Sequence, residues 1–525
     1  MKYVLTGAMA KAVDDYTINK IGIPSVVLME RAALETASVV ARIAADFGRA
    51  VRICAVCGSG NNGADGIAAA RILTWQGLPV DIITAGGRGH ATEEFKMQLD
   101  VAVRSGMKVR NISDTGEYDK TGERESKTEQ PVHGELPEII GKEYDIIVDA
   151  IFGIGLSRNI SGTYAKIIES INAGNNVVVS VDIPSGVNSD TGCIMGTAVH
   201  ADATVTFGYN KQGLMLYPGK ALAGEVTVAD IGFCPEAIRT MSPAMYFTVD
   251  DIYGIPVRDE MSNKGSYGRT LVIAGSENMS GAAYLAAASA YRCGAGIVEI
   301  LTHESNCGVL RSLLPEAIVM GYNADSAVFA VRESMKKADT IILGPGLSTG
   351  PAAVGIVREV LTLSRVLLII DADGLNIAAD NMSLLRNCAS TVIVTPHIGE
   401  MARLTGLSKE EILADTVSAA KDFAIQNNVI CVLKNASTVV ASYEPRIYIN
   451  NSGCGAMSKG GMGDVLTGVI AGMSACRLEP FSAASMGVYV HGLAGEAAAA
   501  GRNMHTVLAG DLLEQFGAVM GNNDL

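Results

Sequence analysis

Apolar runs of β-strand character alternate with stretches of helical period along most of the chain, and this alternation constrains the fold more than any other feature of the sequence. Continuous apolar strands that alternate with helices are typical of parallel sheets covered by helices on both faces. The sequence therefore predicts an α/β protein with doubly wound sheets. The predicted strands are residues 51–56, 80–84, 145–152, 177–183, 203–207, 226–228, 270–274, 296–301, 340–343, 366–370, 391–394, 429–433 and 438–442.

The pattern pauses between residues 234 and 250, where Pro235, Ser242 and Pro243 interrupt it. A chain of 525 residues suits about three domains of ~150 residues each or two large α/β units. Because there is a single pause, we expect two doubly wound domains, 1–240 and 241–525. The polar and aperiodic segment 112–136 predicts a surface excursion from the first domain.

The charge of the chain limits its partners. The net charge of −14 argues against nucleic acid or an acidic membrane as a partner. A phosphate ligand would be repelled at long range, so helix termini, a few lysines and a cation must attract it locally. The apolar content of 48% is sufficient for large buried cores, which excludes a disordered protein.

Cysteine usage and the N-terminal sequence predict a cytoplasmic protein. Cys54 and Cys57 form a CxxC pair within an apolar run with no second pair, which favours a buried strand over a zinc site. Asp14 and Asp15 occur before the apolar segment of a secretory signal can form. The longest apolar runs, after Asp464 and at 483–495, stay short of the ~18 residues of a membrane span and are predicted to be buried helices.

A glycine-rich turn at residues 459–463 leads directly into an apolar helical stretch, with Asp464 at the junction. Backbone N–H groups at such a helix start favour an anion. A carboxylate would be repelled by a phosphate bound there, so the position of Asp464 requires an explanation. One interpretation is that Asp464 is a general base, which takes the proton of a hydroxyl that attacks a phosphoryl group. The other is that Asp464 only caps a core helix. The turn alone does not decide between them.

Three polar clusters follow strands in the first half of the chain. Asn61, Asn62 and Asp65 lie in the turn after the strand at 51–56, and their oxygens suit either a hard cation or turn and cap chemistry. Asp149 and Asp182 each stand where a later strand ends, and Ser185 follows Asp182. Because the carboxyl ends of parallel strands share one edge, we expect these side chains to converge there.

The second half repeats this arrangement with other residues. Glycine turns follow strands at Gly346 and at Gly374, and small residues around Ala282 allow a ligand to approach the backbone closely. His397, after the strand at 391–394, is either a structural histidine or part of a site. Lys434, between two strands, is either a counter-charge for phosphate or a solvated lysine.

The motifs NNGADG, VDAIFGIG and VDIPSG, in this order, resemble the NAD(P)H-hydrate epimerase family over residues 1–233. The resemblance implies that the first domain interconverts the R and S forms of a hydrated nicotinamide cofactor. It also implies a potassium ion bound by Asn62, Asp149 and Ser185, with Asp149 as a candidate acid or base. The residues implied to bind the substrate are Asn61, Asn62, Gly63, Ala64, Asp65, Gly153, Ile154, Gly155, Leu156, Ser157, Arg158, Asn159 and Asp182.

The ordered motifs GPGL, DADGL, TPHxGE, 434–438 and GGMGDVLTG resemble the ribokinase-like fold and, more closely, the NAD(P)H-hydrate dehydratase family over residues 250–525. The resemblance implies Mg²⁺ and ADP or ATP as co-substrate, with conversion of ADP to AMP and phosphate favoured. The implied substrate-binding residues are Ala282, Gly346, His397 and Asp464. The implied nucleotide-binding residues are Lys434, Asn435, Ala436, Ser437, Thr438 and Gly463.

The resemblance gives Asp464 a coherent role. Hydroxide is a poor leaving group, so Asp464 would activate the ring hydroxyl for attack on a terminal phosphoryl group, and phosphate would then leave. A small-molecule kinase of the ribokinase-like class, fused to a nucleotide-binding or scaffold domain, is the alternative. We also expect a homo-oligomer that binds the hydrates of NADH and NADPH and no nucleic acid or membrane.

Overall fold

The structure is a computed structural model that describes residues 1–86, 91–112, 129–131, 140, 142–239 and 241–521. It divides into two compact units: Tyr3–Pro243, and Ala244–Leu525 together with Met1 and Lys2. They are called the N-terminal and C-terminal units below. The excursion predicted at 112–136 lies largely outside the described residues.

The N-terminal unit is built on an eight-stranded sheet. The strands associated with this unit are β1 (Lys2–Leu5), β2 (Ile53–Gly58), β3 (Val80–Ala85), β4 (Val109–Ile112), β5 (Glu129–Pro131), β6 (Ile146–Ala150), β7 (Val177–Val181), β8 (Ala203–Phe207), β9 (Asn210–Lys211) and β10 (Glu225–Ala229). Its helices are α1 (Gly7–Asp15), α2 (Ser25–Asp46), α3 (Asn61–Trp75), α4 (Glu93–Arg104), α5 (Gly162–Asn172) and α6 (Gly219–Leu222).

The order of this sheet is β10-β8-β7-β6-β2-β3-β4-β5, and all its neighbours are parallel. From β2 the chain first adds β3, β4 and β5 on one side of the sheet, and then returns to the other side of β2 with β6. Ligands of such sheets bind where the strand order reverses, outside the carboxyl ends of the strands. The gap between the ends of β2 and β6 is therefore the expected ligand position.

Helices cover both faces of this sheet. On one face Ala55 of β2 packs in a buried cluster with residues of α2, α3 and α4, such as Ile67. On the other face Val56 packs in a second cluster with Ile167 of α5. Because neighbouring residues of one strand are buried on opposite faces, the strand is continuously apolar, which is the pattern that the sequence shows.

The C-terminal unit contains the remaining elements. Its strands are β11 (Ala244–Tyr246), β12 (Arg269–Ile273), β13 (Ile297–His303), β14 (Ile318–Tyr322), β15 (Thr340–Leu343), β16 (Leu367–Ile370), β17 (Val392–Val394), β18 (Ile430–Leu433), β19 (Val439–Ala441) and β20 (Ile447–Ile449). Its helices are α7 (Gly281–Arg292), α8 (Cys307–Leu313), α9 (Ala327–Met335), α10 (Pro351–Leu363), α11 (Asp373–Ala379), α12 (Met382–Arg386), α13 (Ile398–Thr405), α14 (Lys409–Ala414), α15 (Thr416–Asn427), α16 (Met462–Ala475), α17 (Pro480–Ala499) and α18 (Ala509–Met520).

The strands of this unit follow the order β14-β13-β12-β15-β16-β17-β18-β19-β20-β11. Pairing is parallel from β14 to β18 and antiparallel from β18 through β19 to β20. The order reverses beside β12, and the long apolar helices α16 and α17 share a buried cluster with Ile342 of β15. Its neighbour Ile341 is also fully buried, so both faces of the central strands are covered.

All thirteen predicted strands are present, with ends shifted by up to two residues. The predictions of buried helices at 483–495 and after Asp464 are confirmed, as is the buried strand that holds Cys54 and Cys57. Strand β14 was not among the predicted strands: its apolar run, residues 317–320, is short, and the strand lies at the sheet edge, where it is only partly buried. In the described part of the chain, no helix is long and apolar enough to cross a membrane.

Two candidate active sites

A cavity of about 620 Å³ lies in the N-terminal unit at the gap between the ends of β2 and β6. This volume is in the range of small-molecule sites. Among the predicted substrate-binding residues, those that line it are Asn61, Asn62, Asp65, Gly153, Ile154, Gly155, Leu156, Ser157, Arg158 and Asp182. Gly63, Ala64 and Asn159 do not line the cavity, and neither do Asp149 and Ser185.

The turn after β2 is shaped by a close backbone approach. A Cβ atom on Gly63 would lie 1.7 Å from the carbonyl oxygen of Gly58, so a side chain at this position would push the start of α3 away from the strand. The absence of a Cβ lets α3 begin directly at Asn61. Asn61 and Asn62 are thereby held at the helix start, beside the cavity.

Asp149 is completely buried at the end of β6, and its carboxylate is fully hydrogen-bonded. Oδ2 accepts hydrogen bonds from the Ser180 hydroxyl at 2.8 Å and the Ser185 N–H at 2.9 Å. Oδ1 accepts from the Ser185 hydroxyl at 2.6 Å and the Ile151 N–H at 3.3 Å. Burial raises the pKa of Asp149, and these hydrogen bonds oppose the shift.

Several oxygen atoms lie together at this point. The Ser185 hydroxyl oxygen is 3.2 Å from the carbonyl oxygen of Phe152 as well as next to the Asp149 carboxylate. The Asn62 side chain packs against Gly153, and its buried Nδ2 has no hydrogen-bond partner within the described structure. Carboxylate, hydroxyl and amide oxygens are the ligands of hard cations, so this donor set suits one.

Asp182 is paired with a lysine that the sequence analysis missed. Lys211, in β9, is 2% exposed, and its Nζ lies 2.5 Å from Asp182 Oδ1. Asp182 has a left-handed backbone, with φ of 65°, at the end of β7. Lys211 lies four residues beyond β8, and only the topology, which places β8 next to β7, brings it to Asp182.

Two further carboxyl groups line the same cavity. Burial raises the pKa of Asp65 well above its ordinary value, and the charges of Asp182 and Asp14 add to the shift. The pKa of Asp14 is also raised, first by burial and then by the charges of Asp15, Asp182 and Glu94. The cavity therefore contains two carboxyl groups, those of Asp14 and Asp65, whose protonated forms are favoured.

In the C-terminal unit, α16 begins at the glycine turn predicted from the sequence. Gly461 has φ of +90°, a conformation that side chains other than glycine rarely adopt, and it turns the chain into the helix. Asp464 lies in the first turn of α16. The free N–H groups of such a helix start can bind a phosphate group.

Lys434 and Gly463 lie together, as expected for residues that contact one nucleotide. A Cβ atom on Gly463 would be 3.3 Å from Lys434 Nζ. Lys434 Nζ donates to Asp371 Oδ1 at 2.6 Å and lies 3.9 Å from Glu400 Oε2. Burial lowers the pKa of Lys434, but the charges of Asp371 and Glu400 outweigh this effect and raise it on balance.

Asp371, at the end of β16, was not among the predicted site residues, although its motif DADG was noted. Burial raises the pKa of Asp464 to about 6, and the negative charges of Asp371 and Asp373 add to the shift while Lys434 opposes it. A carboxyl group with a pKa near 6 is largely ionised at neutral pH and still binds protons effectively, as a general base must.

His397 has the structural role that was one of its two predicted interpretations. Its Nδ1 accepts hydrogen bonds from the N–H groups of Gly399 at 2.9 Å and Glu400 at 3.1 Å, so it caps α13. Its side chain is 54% exposed, and it neighbours Lys434 through a β-bridge. At the other predicted contact, a Cβ on Gly346 would lie 3.1 Å from the Cβ of Ala282, so these two residues are adjacent.

His491, on α17, is another residue that the sequence did not predict for the site. It is buried, it hydrogen-bonds the main chain at Met462, and its Nε2 has no partner within the described structure. Burial lowers the pKa of His491 to about 4, and the charge of Lys434 contributes to the shift. His491 is therefore neutral and supports the start of α16. Its apolar sequence surroundings gave no signal of this role.

Both halves of the chain are similar to known proteins. A family model described as YjeF-related protein N-terminus matches residues 25–213, and one described as NAD(P)H-hydrate dehydratase matches residues 270–517. The bifunctional NAD(P)H-hydrate repair enzyme Nnr of Moorella thermoacetica is 34% identical over 99% of this chain and 97% of its own length. That of Thermofilum pendens is 36% identical over 93% and 90%.

The chain belongs to the bifunctional NAD(P)H-hydrate repair enzyme family. It is thus an enzyme with an epimerase activity and a nucleotide-dependent dehydratase activity, in two α/β units of Rossmann-like and ribokinase-like class. These predictions are confirmed. Among solved structures, the C-terminal half is similar to the ADP/ATP-dependent NAD(P)H-hydrate dehydratase from Bacillus subtilis, co-crystallised with ATP and Mg²⁺. It is 34% identical with a TM-score of 0.49, over 54% of this chain and 99% of that one.

No group of three or more His, Cys, Asp or Glu side chains that could hold a metal ion occurs in the part of the chain that the structure describes. The donor set around Asp149 is of another kind, because it consists of a single carboxylate with neutral oxygens. Any cation there would be held by one negative charge, which suits a monovalent ion.

Proposed function

We propose that residues 1–240 interconvert the R and S forms of hydrated NADH and NADPH, and that residues 241–525 dehydrate the S form, with ADP converted to AMP and phosphate. The observation that carries the assignment is the grouping of Asp464, Lys434 and Asp371 at the start of α16. This grouping provides a base, a cation and an anion hole within one site. The N-terminal activity then supplies the epimer that the C-terminal one consumes.

In the dehydratase site the chain has three tasks. Asp464 takes the proton of the ring hydroxyl as that oxygen attacks the terminal phosphoryl group of the nucleotide. The N–H groups at 461–463 and the Lys434 ammonium stabilise the charge on the transferring oxygens. Ala282, Gly346 and His397 bind the hydrated cofactor, and residues 434–438 bind the nucleotide.

Mg²⁺ suits this site because it is usually carried on nucleotide phosphates and bound through one or two carboxylates. Asp371 and Asp373 are close enough to Asp464 to raise its pKa, so carboxylate oxygens of the required kind are present. When bound, the ion would neutralise charge on the phosphate oxygens.

In the epimerase site we propose a potassium ion held by Asn62, Asp149 and Ser185, because the Asp149, Ser185 and Phe152 oxygens lie together and the Asn62 side chain packs beside Gly153. When bound, the ion would fix the loop after β6 and neutralise the buried carboxylate. Substrate would occupy the cavity lined by Asn61, Asp65, residues 153–158 and Asp182.

An assay of the whole chain tests this function. Purified R or S hydrate of NADPH is incubated with ADP or ATP, and both the absorbance of reduced nicotinamide and the release of phosphate are followed. We expect absorbance and phosphate to rise together, with ADP giving the faster rate. A small-molecule kinase would instead yield a phosphorylated product with no gain in absorbance.

The pH dependence of dehydration gives a further prediction. Asp464 must be ionised to act as a base, and its pKa is about 6. The initial rate of dehydration of the S hydrate should therefore be full well above pH 6 and fall tenfold per pH unit below it. Rates measured from about pH 5 to about pH 8, with stability checked at each pH, test this. A rate that stays constant through pH 6 would contradict the role of Asp464.

A further inference from the structure

Lys211 lines the cavity of the N-terminal unit although only 2% of its surface is exposed. A buried ammonium is costly unless its donors are all satisfied, and Lys has three of them. Nζ reaches three acceptors: Asp182 Oδ1 at 2.5 Å, Thr206 Oγ1 at 2.8 Å and the Phe207 carbonyl oxygen at 3.0 Å. Every donor of Lys211 is therefore used within the protein, and none remains for a substrate.

These contacts use only one of the two carboxylate oxygens of Asp182. Its Oδ1 accepts from Lys211 and also from the Thr206 hydroxyl at 3.1 Å. Within the described structure no hydrogen bond reaches its Oδ2, and the residue lines the cavity. One oxygen is thus fixed by a rigid ammonium while the other keeps its lone pairs for a ligand. The left-handed backbone of Asp182, at φ of 65°, is a strained conformation that such contacts maintain.

We propose that Lys211 is a positioning residue of the epimerase site, which fixes the Asp182 carboxylate so that its free oxygen takes the proton of the ring hydroxyl. The proposal rests on the epimerase function assigned above to residues 1–240. Asp182 is then a catalytic residue that touches the substrate, and Lys211 acts through it. A carboxylate held at one oxygen keeps its orientation during proton transfer, which is what general-base catalysis requires.

Removal of the ring hydroxyl proton is sufficient to start epimerisation, because of the structure of the substrate. Hydration of a dihydronicotinamide places a hydroxyl on the ring carbon bonded to the ring nitrogen. When Asp182 removes the hydroxyl proton, the oxygen forms a carbonyl, the carbon–nitrogen bond breaks, and its electron pair passes to nitrogen, which takes up a proton. After the carbonyl turns about its carbon–carbon bond, nitrogen attacks its other face and both proton transfers reverse. Atoms, charge and electrons balance without another reactant.

The proton for the nitrogen has a source in the same cavity. Asp65 lines it, and burial together with the charges of Asp182 and Asp14 favours the protonated form of Asp65. Asp65 and Asp182 line the same cavity, so an acid and a base are available within one site. Asp65 is then the acid when Asp182 is the base, and the pair returns to its starting state at the end of each turnover.

Replacement of Lys211 by Met tests the proposal, because Met preserves most of the side-chain length but has neither charge nor donors. Epimerisation of the purified R hydrate is measured in the whole chain without nucleotide. We expect kcat to fall by on the order of 10²-fold while KM stays within about threefold of the unmodified value. Dehydration of the S hydrate by the same protein should keep its rate.

Two controls accompany this variant. Lys166→Met removes an exposed lysine of α5 and should leave both activities unchanged. Thr206→Val removes one acceptor of Lys211 and one donor to Asp182 at constant shape, and should lower kcat by about tenfold with unchanged KM. If thermal unfolding shows that Lys211→Met does not fold, the result with Thr206→Val decides.

The outcomes distinguish failure of the role proposed for Lys211 from failure of the epimerase function. Interconversion by the unmodified chain that survives Lys211→Met within about twofold overturns the positioning role alone. A rise in KM that accounts for the whole loss also overturns it, because Lys211 would then support binding and not proton transfer. Absence of interconversion in the unmodified chain overturns the epimerase function and this proposal with it.

Discussion

Asp464→Asn is expected to lower the rate of dehydration by about 10²–10⁴-fold while epimerisation keeps its rate. The amide has nearly the shape of the carboxyl group but accepts no proton, so the ring hydroxyl would have to attack the phosphoryl group unassisted. Initial rates of absorbance gain with S hydrate and ADP measure the first effect. Interconversion of R and S hydrate without nucleotide measures the second.

The stability of this variant is a useful control. Folding raises the pKa of Asp464 to about 6. Above that pH the carboxyl group is ionised in the folded protein, and this buried charge lowers the stability of the folded state. Asn removes this charge, and the thermal midpoint at about pH 8 should stay the same or rise. Loss of dehydration together with a lower midpoint would indicate damage to the start of α16. A retained dehydration rate would exclude Asp464 as the base.

Asp149→Ala is expected to have the reverse effect: epimerisation falls by at least about 100-fold, and dehydration is preserved. The change removes the carboxylate that we propose as a potassium ligand. It also leaves the Ser180 hydroxyl and the Ser185 N–H without their buried acceptor, at a cost of about 1–3 kcal/mol for each orphaned donor. The thermal midpoint of the N-terminal unit should fall accordingly.

Asp149→Asn separates the two causes. It nearly preserves shape and accepts part of the same hydrogen bonds, but it has no charge to hold a cation. If epimerisation depends on the ion, this variant should also be slow, and potassium should stimulate the unmodified chain but not the variant. Loss of both activities from either Asp149→Ala or Asp464→Asn, with folding intact, would contradict two separate sites.

Much of the fold was predictable because apolar periodicity is a local signal. Continuous apolar runs such as β2 are buried on both faces, and their pattern does not depend on which strand lies beside them. The signal is weaker in edge strands such as β14, whose apolar run is short and which is only partly buried. The positions of Asn62, Asp182 and Asp464 were predictable for a similar reason, since each directly follows a strand or glycine turn.

The sequence by itself determined the fold class, the two units and the strand-end residues, because these depend on patterns within a few residues. Only the tertiary structure decided how those residues are paired and charged. Lys211 meets Asp182 across 29 positions, and Asp371 meets Lys434 across 63, because the sheet brings the ends of strands that are distant in sequence to one edge. Burial, which also arises only on folding, raises the pKa of Asp464 towards neutrality and leaves His491 neutral.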